Sequence, residues 1–286
     1  MFEPDRTSQD RSGLAASLRA LRKSAGLSGE RLAKRIHMSQ ARISRIETGR
    51  TLPSITEVER ILKALEVPKQ EAEELLSLAK LANIDFLSRR KNRRIGMAHR
   101  QREIAALMEQ SNHLRFVLPT ALSGLLQTSE YVRSNVHDPM IRASEDEKPK
   151  LIGAKLARQE ILDRADKHFS FLLTEAAVRR FGTSAADMAV QVDKLVAVSV
   201  KPSVELEVIP LDIQMAKAPL NIFTIYDDSL VTVETEAGLM ALRDPLDVQE
   251  HLELFEYYRR KALTGEECRK FLRGIAGEFR RRARGC

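Results

Sequence analysis

The sequence is poor in cysteine and in aromatic residues. Among its 286 residues are two cysteines and no tryptophan, and aromatic side chains make up 5% of the chain. Cys268 and Cys286 alone exclude a disulfide framework and a cysteine-rich metal site, which need repeated cysteine pairs. No apolar run approaches the roughly 18 residues of a membrane span, and the first ten residues lack the apolar core of a signal peptide. We therefore expect a soluble, cytoplasmic protein without metal or cofactor.

The sequence also lacks the common motifs of enzyme active sites. It contains no P-loop, no G-x-S-x-G and no H-E-x-x-H, and its six histidines are scattered without the spacing of metal ligands. Glu234 and Glu236 lie two apart on a predicted strand, a pattern more often found on an exposed face than in a catalytic pair. We expect no catalytic residues, and an enzyme is only a remote alternative.

Positive charge is what the sequence has in excess. Lysine and arginine number 47 against 40 acidic residues, which gives a formal net charge of +7. The basic residues cluster within residues 31–50, 89–94 and 280–284. Such clusters favour a polyanionic partner, although charged runs are often plain solvated surface. The length is suited to two domains.

Residues 12–81 combine apolar residues at helical spacing with regular capping residues, which predicts a mainly α, five-helix bundle. The predicted helix starts are marked by Ser12, Ser28, Ser39, the Ser54/Glu57 capping box and Pro68. Gly26 and Gly49 mark helix ends. A tail over residues 1–11 is predicted to be disordered.

The second and third helices are joined by a tight turn at His37-Met38 and predict a helix-turn-helix. Ala33 allows the two helices to approach closely, and Ile43 turns inward, which leaves a polar and basic face of the third helix free for a DNA major groove. The candidates for base contacts are Gln40, Ala41, Arg42, Ser44 and Arg45. The candidates for phosphate contacts are Ser28, Arg31, Thr48 and Arg50. A bundle used for protein contacts is the alternative, which the lack of large apolar residues on this face disfavours.

Residues 12 to about 80 resemble the lambda-repressor-like helix-turn-helix family of the Xre type, in particular the stretch from LRALRKSAGLSGERLAKRI to ITEVERILKAL. The resemblance lies in GLS, LA, the MS turn, IS-x-IE-x-G and the following proline. Gly29 stands where the family usually has glutamine, which implies that one backbone contact to DNA is missing. His37 stands where the family prefers glycine, so a left-handed histidine is expected there.

A basic connector, residues 82–102 with the run SRRKNRR, follows the bundle. Both an ordered helix and a solvated linker fit this composition. Next to a helix-turn-helix, such a run can track phosphates or enter a minor groove. A second basic segment, residues 278–286, is predicted to be a tail.

Residues 103–277 are predicted to form an α+β domain of about six helices and a roughly four-stranded antiparallel sheet. Alternation of Val204, Leu206 and Val208 with two glutamates predicts a sheet with one solvated face, and Asp227-Asp228-Ser229 predicts a hairpin turn. The predicted helices are 103–112, 128–136, 149–165, 185–199, 245–262 and 265–276, and the predicted strands are 168–174, 204–210, 221–226 and 230–235.

This region resembles the antitoxin-like "Scr1 family" domain that follows such modules in many actinobacterial regulators. The resemblance is carried by LSGLLQTSEYVR, LARQEIL, LLTEAAVRRFG, the helix with Met188, Gln191 and Leu195, LEVIP and LVTVETE. It implies a regulator that works with a small protein partner, and it identifies neither a ligand nor a target gene.

Five polar residues of this domain are candidates for a partner or ligand cleft: Gln127, Tyr131, Arg158, Gln159 and Glu175. Arg158 and Glu175 could instead form a buried structural ion pair, and such pairs are the more common case. The whole sequence favours a dimeric, sequence-specific transcriptional regulator that binds double-stranded DNA at an inverted repeat and senses a small protein or ligand. The alternative is an antitoxin-like component that sequesters a small partner, with DNA binding secondary.

Overall fold

A computed structural model of the chain describes residues 6–88, 97–138, 143–236 and 238–285. The chain divides into two compact units. The first consists of Met1–Phe86 together with Met240–Asp247, and the second of Leu87–Leu239 together with Val248–Cys286. None of the described helices is long and apolar enough to cross a membrane.

The first unit contains the predicted five-helix bundle. Its helices are α1 (Arg6–Ser24), α2 (Gly29–Arg35), α3 (Gln40–Glu47), α4 (Ile55–Ala64) and α5 (Lys69–Asn83). Apolar side chains from all five helices pack into one buried cluster, with Leu18, Leu32, Ile43 and Ile61 among its members. The amphipathic spacing therefore predicted both the helices and the face that each one buries.

The predicted caps of α2, α3 and α4 are confirmed. The hydroxyl oxygens of Ser28 and Ser39 accept hydrogen bonds from the backbone N–H groups of Arg31 and Arg42, at 3.1 and 3.2 Å. Ser54 and Glu57 form the reciprocal capping box at the start of α4. Each cap satisfies N–H groups that have no acceptor within the helix.

The first helix begins earlier than predicted. It starts at Arg6 rather than after a Ser12 cap, so the predicted disorder is wrong from Arg6 onward. Residues 6–11 contain neither glycine nor proline, and a helix anchored in a core further along extends readily through such a segment.

The turn between α2 and α3 has the expected strained conformation. His37 has φ 52°, in the left-handed region. The N–H of the following Met38 bonds to the carbonyl of Ala33 at 2.9 Å and closes the turn. Gly26 and Gly49, at φ 66° and 69°, end α1 and α3, where glycine adopts the left-handed conformation without steric cost.

The remaining helices are α6 (Met97–Gln110), α7 (Ser129–Val136), α8 (Glu147–Ala157), α9 (Glu175–Arg179), α10 (Ala185–Val198), α11 (Pro245–Arg259) and α12 (Gly265–Arg284). The strands are β1 (Ile84–Ser88), β2 (His113–Leu118), β3 (His168–Thr174), β4 (Val204–Ile209), β5 (Ile222–Tyr226), β6 (Leu230–Glu234) and β7 (Gly238–Leu242). A 3₁₀ helix, Arg158–Asp163, follows α8 directly.

Five strands of the second unit lie side by side in the order β6-β5-β2-β3-β4. The pairs β2-β5 and β5-β6 are antiparallel, whereas β2-β3 and β3-β4 are parallel. The α+β class is confirmed, but the prediction of an antiparallel sheet is wrong for the two parallel pairs. Helices lie between β2 and β3 and between β3 and β4, and such crossovers bring the chain back in the same direction.

The strands are buried on both faces of the sheet to a greater extent than the alternation of apolar and polar residues predicted. Residues 169–173 of β3 are all buried, and the rings of Phe116 and Phe171 stack with centroids 4.7 Å apart. Glu207, predicted on a solvated face, is buried and pairs with Arg259 at 3.1 Å. Burial raises the pKa of Glu207 despite the opposing effect of Arg259.

Two predicted boundaries in the basic segments change. Helix α12 continues to Arg284, because Phe279 is buried and anchors the last turns, so the predicted tail is helical. Parts of the connector are also regular, since β1 ends at Ser88 and α6 begins at Met97. The basic run 89–94 lies outside the described residues.

Candidate nucleic-acid interface

The face of α3 that sequence analysis assigned to DNA is free in the first unit. Ile43 and Ile46 are buried on the opposite side of the helix, and Ala33 of α2 is buried where α2 and α3 pack together. The exposed residues of α3 are Gln40, Ala41, Ser44 and Arg45. Glutamine and arginine side chains at such positions can bond to adenine and guanine edges in a major groove.

Arg42 departs from the expectation. Its guanidinium bonds to the Glu57 carboxylate in bidentate fashion, Nε to Oε1 at 2.9 Å and Nη2 to Oε2 at 2.8 Å. Its side chain is only 30% exposed. Burial by itself would raise the pKa of Glu57, but hydrogen bonds from Arg42 and from the Ser54 N–H outweigh it and lower that pKa. The guanidinium therefore ties α3 to α4 instead of extending towards a base.

A second ion pair holds the other end of α3. Arg22 of α1 bonds to both carboxylate oxygens of Glu47 at 2.6 and 2.7 Å, and its Nη1 donates to the Leu27 carbonyl at 2.7 Å. The hydrogen bond to Glu47 is the main cause of the raised pKa of Arg22. Neither pair was predictable from the sequence, because the partners lie 15 and 25 residues apart and follow no helical spacing.

The four candidate phosphate ligands are exposed, and they differ in what they can donate. Ser28 uses its oxygen as an acceptor in the α2 cap, so its proton can still reach a phosphate. Thr48 instead donates its hydroxyl proton to the Ser44 carbonyl at 2.7 Å. Phosphate oxygens accept hydrogen bonds, so the exposed arginines Arg31 and Arg50 are better placed to donate than Thr48.

In the second unit, two of the predicted cleft residues bind a loop of the chain itself. Gln159 Nε2 donates to the carbonyls of Gly124 and Gln127, both at 2.8 Å. Gln127 Nε2 donates to the Leu122 carbonyl, also at 2.8 Å. These amide groups fix the segment that leads into α7.

Helix α10 completes this clamp with residues that were not singled out as site residues. The fully buried Gln191 accepts from the Thr128 N–H and donates to the Leu126 carbonyl, both at 2.7 Å. Lys194 Nζ donates to the Gln127 carbonyl at 2.7 Å and to Gln159 Oε1 at 2.6 Å. A glutamine among the apolar positions of α10 was the available sequence signal for such a buried contact.

The expected ion pair between Arg158 and Glu175 does not form. Glu175 pairs instead with Arg179 one helical turn later, and its other oxygen accepts from the Leu211 N–H at 2.9 Å. Residues four apart on a helix meet on one face, so the local partner is favoured. Burial is the main cause of the lowered pKa of Arg158, and Tyr226 and Glu234 oppose it.

The five predicted cleft residues make different contacts within the second unit. Arg158 lies beside Gly124, close to the clamped loop, but Tyr131 packs against Gly182, where a Cβ would come within 3.0 Å of its ring. A shallow cleft of about 380 Å³ runs along α12, and another of about 520 Å³ lies near His113 and His168; none of the five lines either. The described residues contain no group of three or more His, Cys, Asp or Glu side chains suited to a metal ion.

Comparison with known proteins agrees with this division of the chain. Residues 14–75 match a family model described as a helix-turn-helix domain. The solved structure of TrmBL2, titled as an archaeal chromatin protein with a novel mode of DNA binding, is 16% identical and covers 84% of this chain and 88% of its own, with a TM-score of 0.34. So weak a superposition carries no argument.

No curated protein matches the chain. A second family model covers residues 101–274, which is more than half of the chain. The match begins within α6 and ends within α12. That model is described as a domain of unknown function, DUF5753. The chain therefore belongs to the DUF5753 family and carries a helix-turn-helix domain at its N-terminal end.

Proposed function

We propose that the chain is a cytoplasmic, sequence-specific DNA-binding transcriptional regulator that inserts α3 into the major groove. One observation carries this proposal: α3 is held by an ion pair near each end, and its polar, basic face is exposed. A recognition helix needs both properties, because base readout requires donors and acceptors in fixed positions.

The residues of α3 then divide into readers and a positioning residue. Arg45 and Gln40 bond to guanine and adenine edges, while Ala41 and Ser44 lie close enough to contact neighbouring bases. Arg42 acts through Glu57 and sets the position of the helix. Ser28, Arg31 and Arg50 bond to phosphates, and Thr48 joins them where its internal hydrogen bond opens.

The proposal includes an Xre-type dimer on an inverted repeat. Two-fold symmetry would place the two α3 helices about 34 Å apart, one turn of the duplex, so that both enter the same side of the DNA. The half-sites would then be about 10 base pairs apart, centre to centre.

A small protein partner for the second unit, as in Scr1-type antitoxin-like systems, is a further part of the proposal. Supporting it are the apolar side chains of Leu211, Ile213 and Leu220 in the segment between β4 and β5, which are 64%, 40% and 84% exposed. Several exposed apolar residues in one segment of the chain favour a protein contact more than a single one does. In the antitoxin-like alternative, binding this partner is the main activity.

The experiment is selection of bound duplexes from a random 30-base-pair pool, followed by affinity measurements on Arg45→Ala. We expect the loss of about 1–3 kcal/mol of binding free energy and relaxed preference at one base pair. Arg19→Ala is the matched control, an exposed arginine on α1, and should leave both quantities unchanged. An Arg45→Ala protein that selects the same sequence with wild-type affinity would remove α3 from the interface.

The same experiment distinguishes the regulator from the antitoxin-like alternative. If the wild type enriches no sequence, yet binds a small protein partner in a complex that survives Arg45→Ala, partner sequestration becomes the better interpretation. Enrichment of an inverted repeat by the wild type favours the regulator.

A further inference from the structure

We propose that Asp244 is a positioning residue for the DNA-reading helix α3, and this inference rests on the proposed function. Asp244 belongs to the segment Met240–Asp247, which packs as part of the first unit. The chain enters this segment from the second unit after Leu239 and returns to that unit at Val248. The first unit is therefore completed by residues far outside the helix-turn-helix match at 14–75.

The carboxylate of Asp244 is committed to two backbone N–H groups. Oδ2 accepts from the Ile55 N–H at 2.7 Å, and Oδ1 accepts from the Leu246 N–H at 2.9 Å. The residue is 1% exposed, and it lies 189 residues from Ile55 along the chain. A buried carboxylate is tolerated only where hydrogen bonds replace its water, so both contacts are structurally required.

Ile55 is the first residue of α4, and its N–H has no acceptor within the helix. The helix dipole is also positive at this end, which favours a nearby negative charge. Asp244 therefore caps α4 from outside, next to the local cap made by Ser54.

The first turn of α4 is also the turn that holds α3. Glu57 Oε2 accepts from the Ser54 N–H at 2.8 Å, and the same carboxylate receives both bonds from Arg42. Asp244 thus fixes the turn, the turn orients Glu57, and Glu57 fixes Arg42 on α3. If the Asp244 bond is broken, the first turn of α4 loosens, and Arg42 no longer holds α3 in one position.

Two substitutions in the full-length chain remove the same hydrogen bond by different means. Asp244→Asn replaces one acceptor oxygen by a donor. Ile55→Pro removes the N–H at a helix position where proline is well tolerated, and the extended backbone of Ser54, φ −67° and ψ 160°, already suits a following proline. Asp212→Asn, an exposed aspartate between β4 and β5, is the control for the loss of charge.

The measured quantity is the ratio of affinities for the selected duplex and for a scrambled duplex of the same length. We expect both variants to lose about tenfold in this ratio, because a displaced α3 no longer reaches the bases while the phosphates stay bound. Plain destabilisation would lower the two affinities together and leave the ratio unchanged. Hydrogen exchange should quicken at the amides of Thr56 and Glu57 in Asp244→Asn, and Asp212→Asn should match the wild type in both measurements.

The outcomes separate the two proposals. A wild-type protein without any preferred duplex overturns the proposed function, and this inference with it. A wild type that prefers one duplex, with an unchanged ratio in both variants, overturns only the role of Asp244. Faster exchange with an unchanged ratio would make Asp244 a cap of α4 without influence on recognition, which also overturns the inference.

Discussion

Arg42 has the side chain and the sequence position of a base-reading residue, yet its guanidinium is bound to Glu57. Two parallel N–H···O bonds between charged groups are strong and directional. The pair therefore contributes to the stability of the first unit as well as to the orientation of α3. Removing the carboxylate should affect both.

We predict that Glu57→Gln destabilises the first unit by about 1.5–3 kcal/mol at neutral pH, in line with hydrogen bonds to charged groups. The pKa of Glu57 in the folded chain is lower than its ordinary value, so the pair stabilises the fold above about pH 4.3. This advantage is lost as the pH falls through the folded pKa. Urea unfolding followed by far-ultraviolet circular dichroism, at pH 7 and at several lower values, measures the difference.

Glu59→Gln is the control, since Glu59 is an exposed acid on the same helix. If the loss of unfolding free energy in Glu57→Gln stays constant down to pH 3, the charge of Glu57 has no part in the interaction.

Helix α10 holds the neighbouring loop of the second unit in place through one buried amide, that of Gln191. Gln191 satisfies the Leu126 carbonyl and the Thr128 N–H, so the loop before α7 depends on a helix more than 60 residues away. Both backbone groups would be buried without partners if the amide were removed. Buried polar groups without partners are among the costliest defects of a fold.

We predict that Gln191→Met lowers the unfolding free energy of the second unit by about 2–6 kcal/mol, at about 1–3 kcal/mol for each of the two orphaned groups. The chain has no tryptophan, and its four tyrosines, Tyr131, Tyr226, Tyr257 and Tyr258, all belong to the second unit. Tyrosine emission therefore follows this unit alone. Val190→Ala, at an exposed neighbouring position, should stay within about 0.5 kcal/mol of the wild type, and an equally small change in Gln191→Met would refute the clamp.

At the scale of the whole molecule, positive charge lies in more places than the helix-turn-helix. The last cluster belongs to α12, where Arg280 pairs with Asp193 and Arg282 lies 5.8 Å from the Phe279 ring centre. These contacts favour a structural role for that cluster. The run at 89–94 stays a candidate for phosphate contacts.

We predict that replacing Arg89, Arg90, Arg93 and Arg94 by glutamine weakens binding to every duplex and flattens its salt dependence. The plot of log affinity against log salt concentration has a negative slope, and this slope should become shallower by about 0.9 for each phosphate that is no longer neutralised. The same change at Arg280, Arg281, Arg282 and Arg284 removes equal charge and should leave the slope unchanged. Equal slopes in both variants and the wild type would show that the basic run at 89–94 makes no phosphate contacts and only connects its neighbours.

Local interactions explain most of what was predictable. The caps at Ser28, Ser39 and Ser54 act within three residues, and apolar spacing identifies the buried face of each helix, so the bundle and the free face of α3 followed directly. Strand β2 was missed because Arg115 interrupts its apolar run and hides the pattern of a central strand. The parallel pairing was missed because alternation within a strand says nothing about the direction of its neighbours.

Local sequence was enough to predict the five helices of the first unit, the caps of α2, α3 and α4 and the exposed side of α3, since these depend on neighbours within a few residues, but it was not enough to predict where α1 begins. Three contacts could be seen only in the folded chain: Arg42 binds Glu57, Gln191 holds the loop before α7, and Asp244 caps α4. Those choices depend on which distant segments meet, because a polar side chain that becomes buried must take its partner from whatever surrounds it.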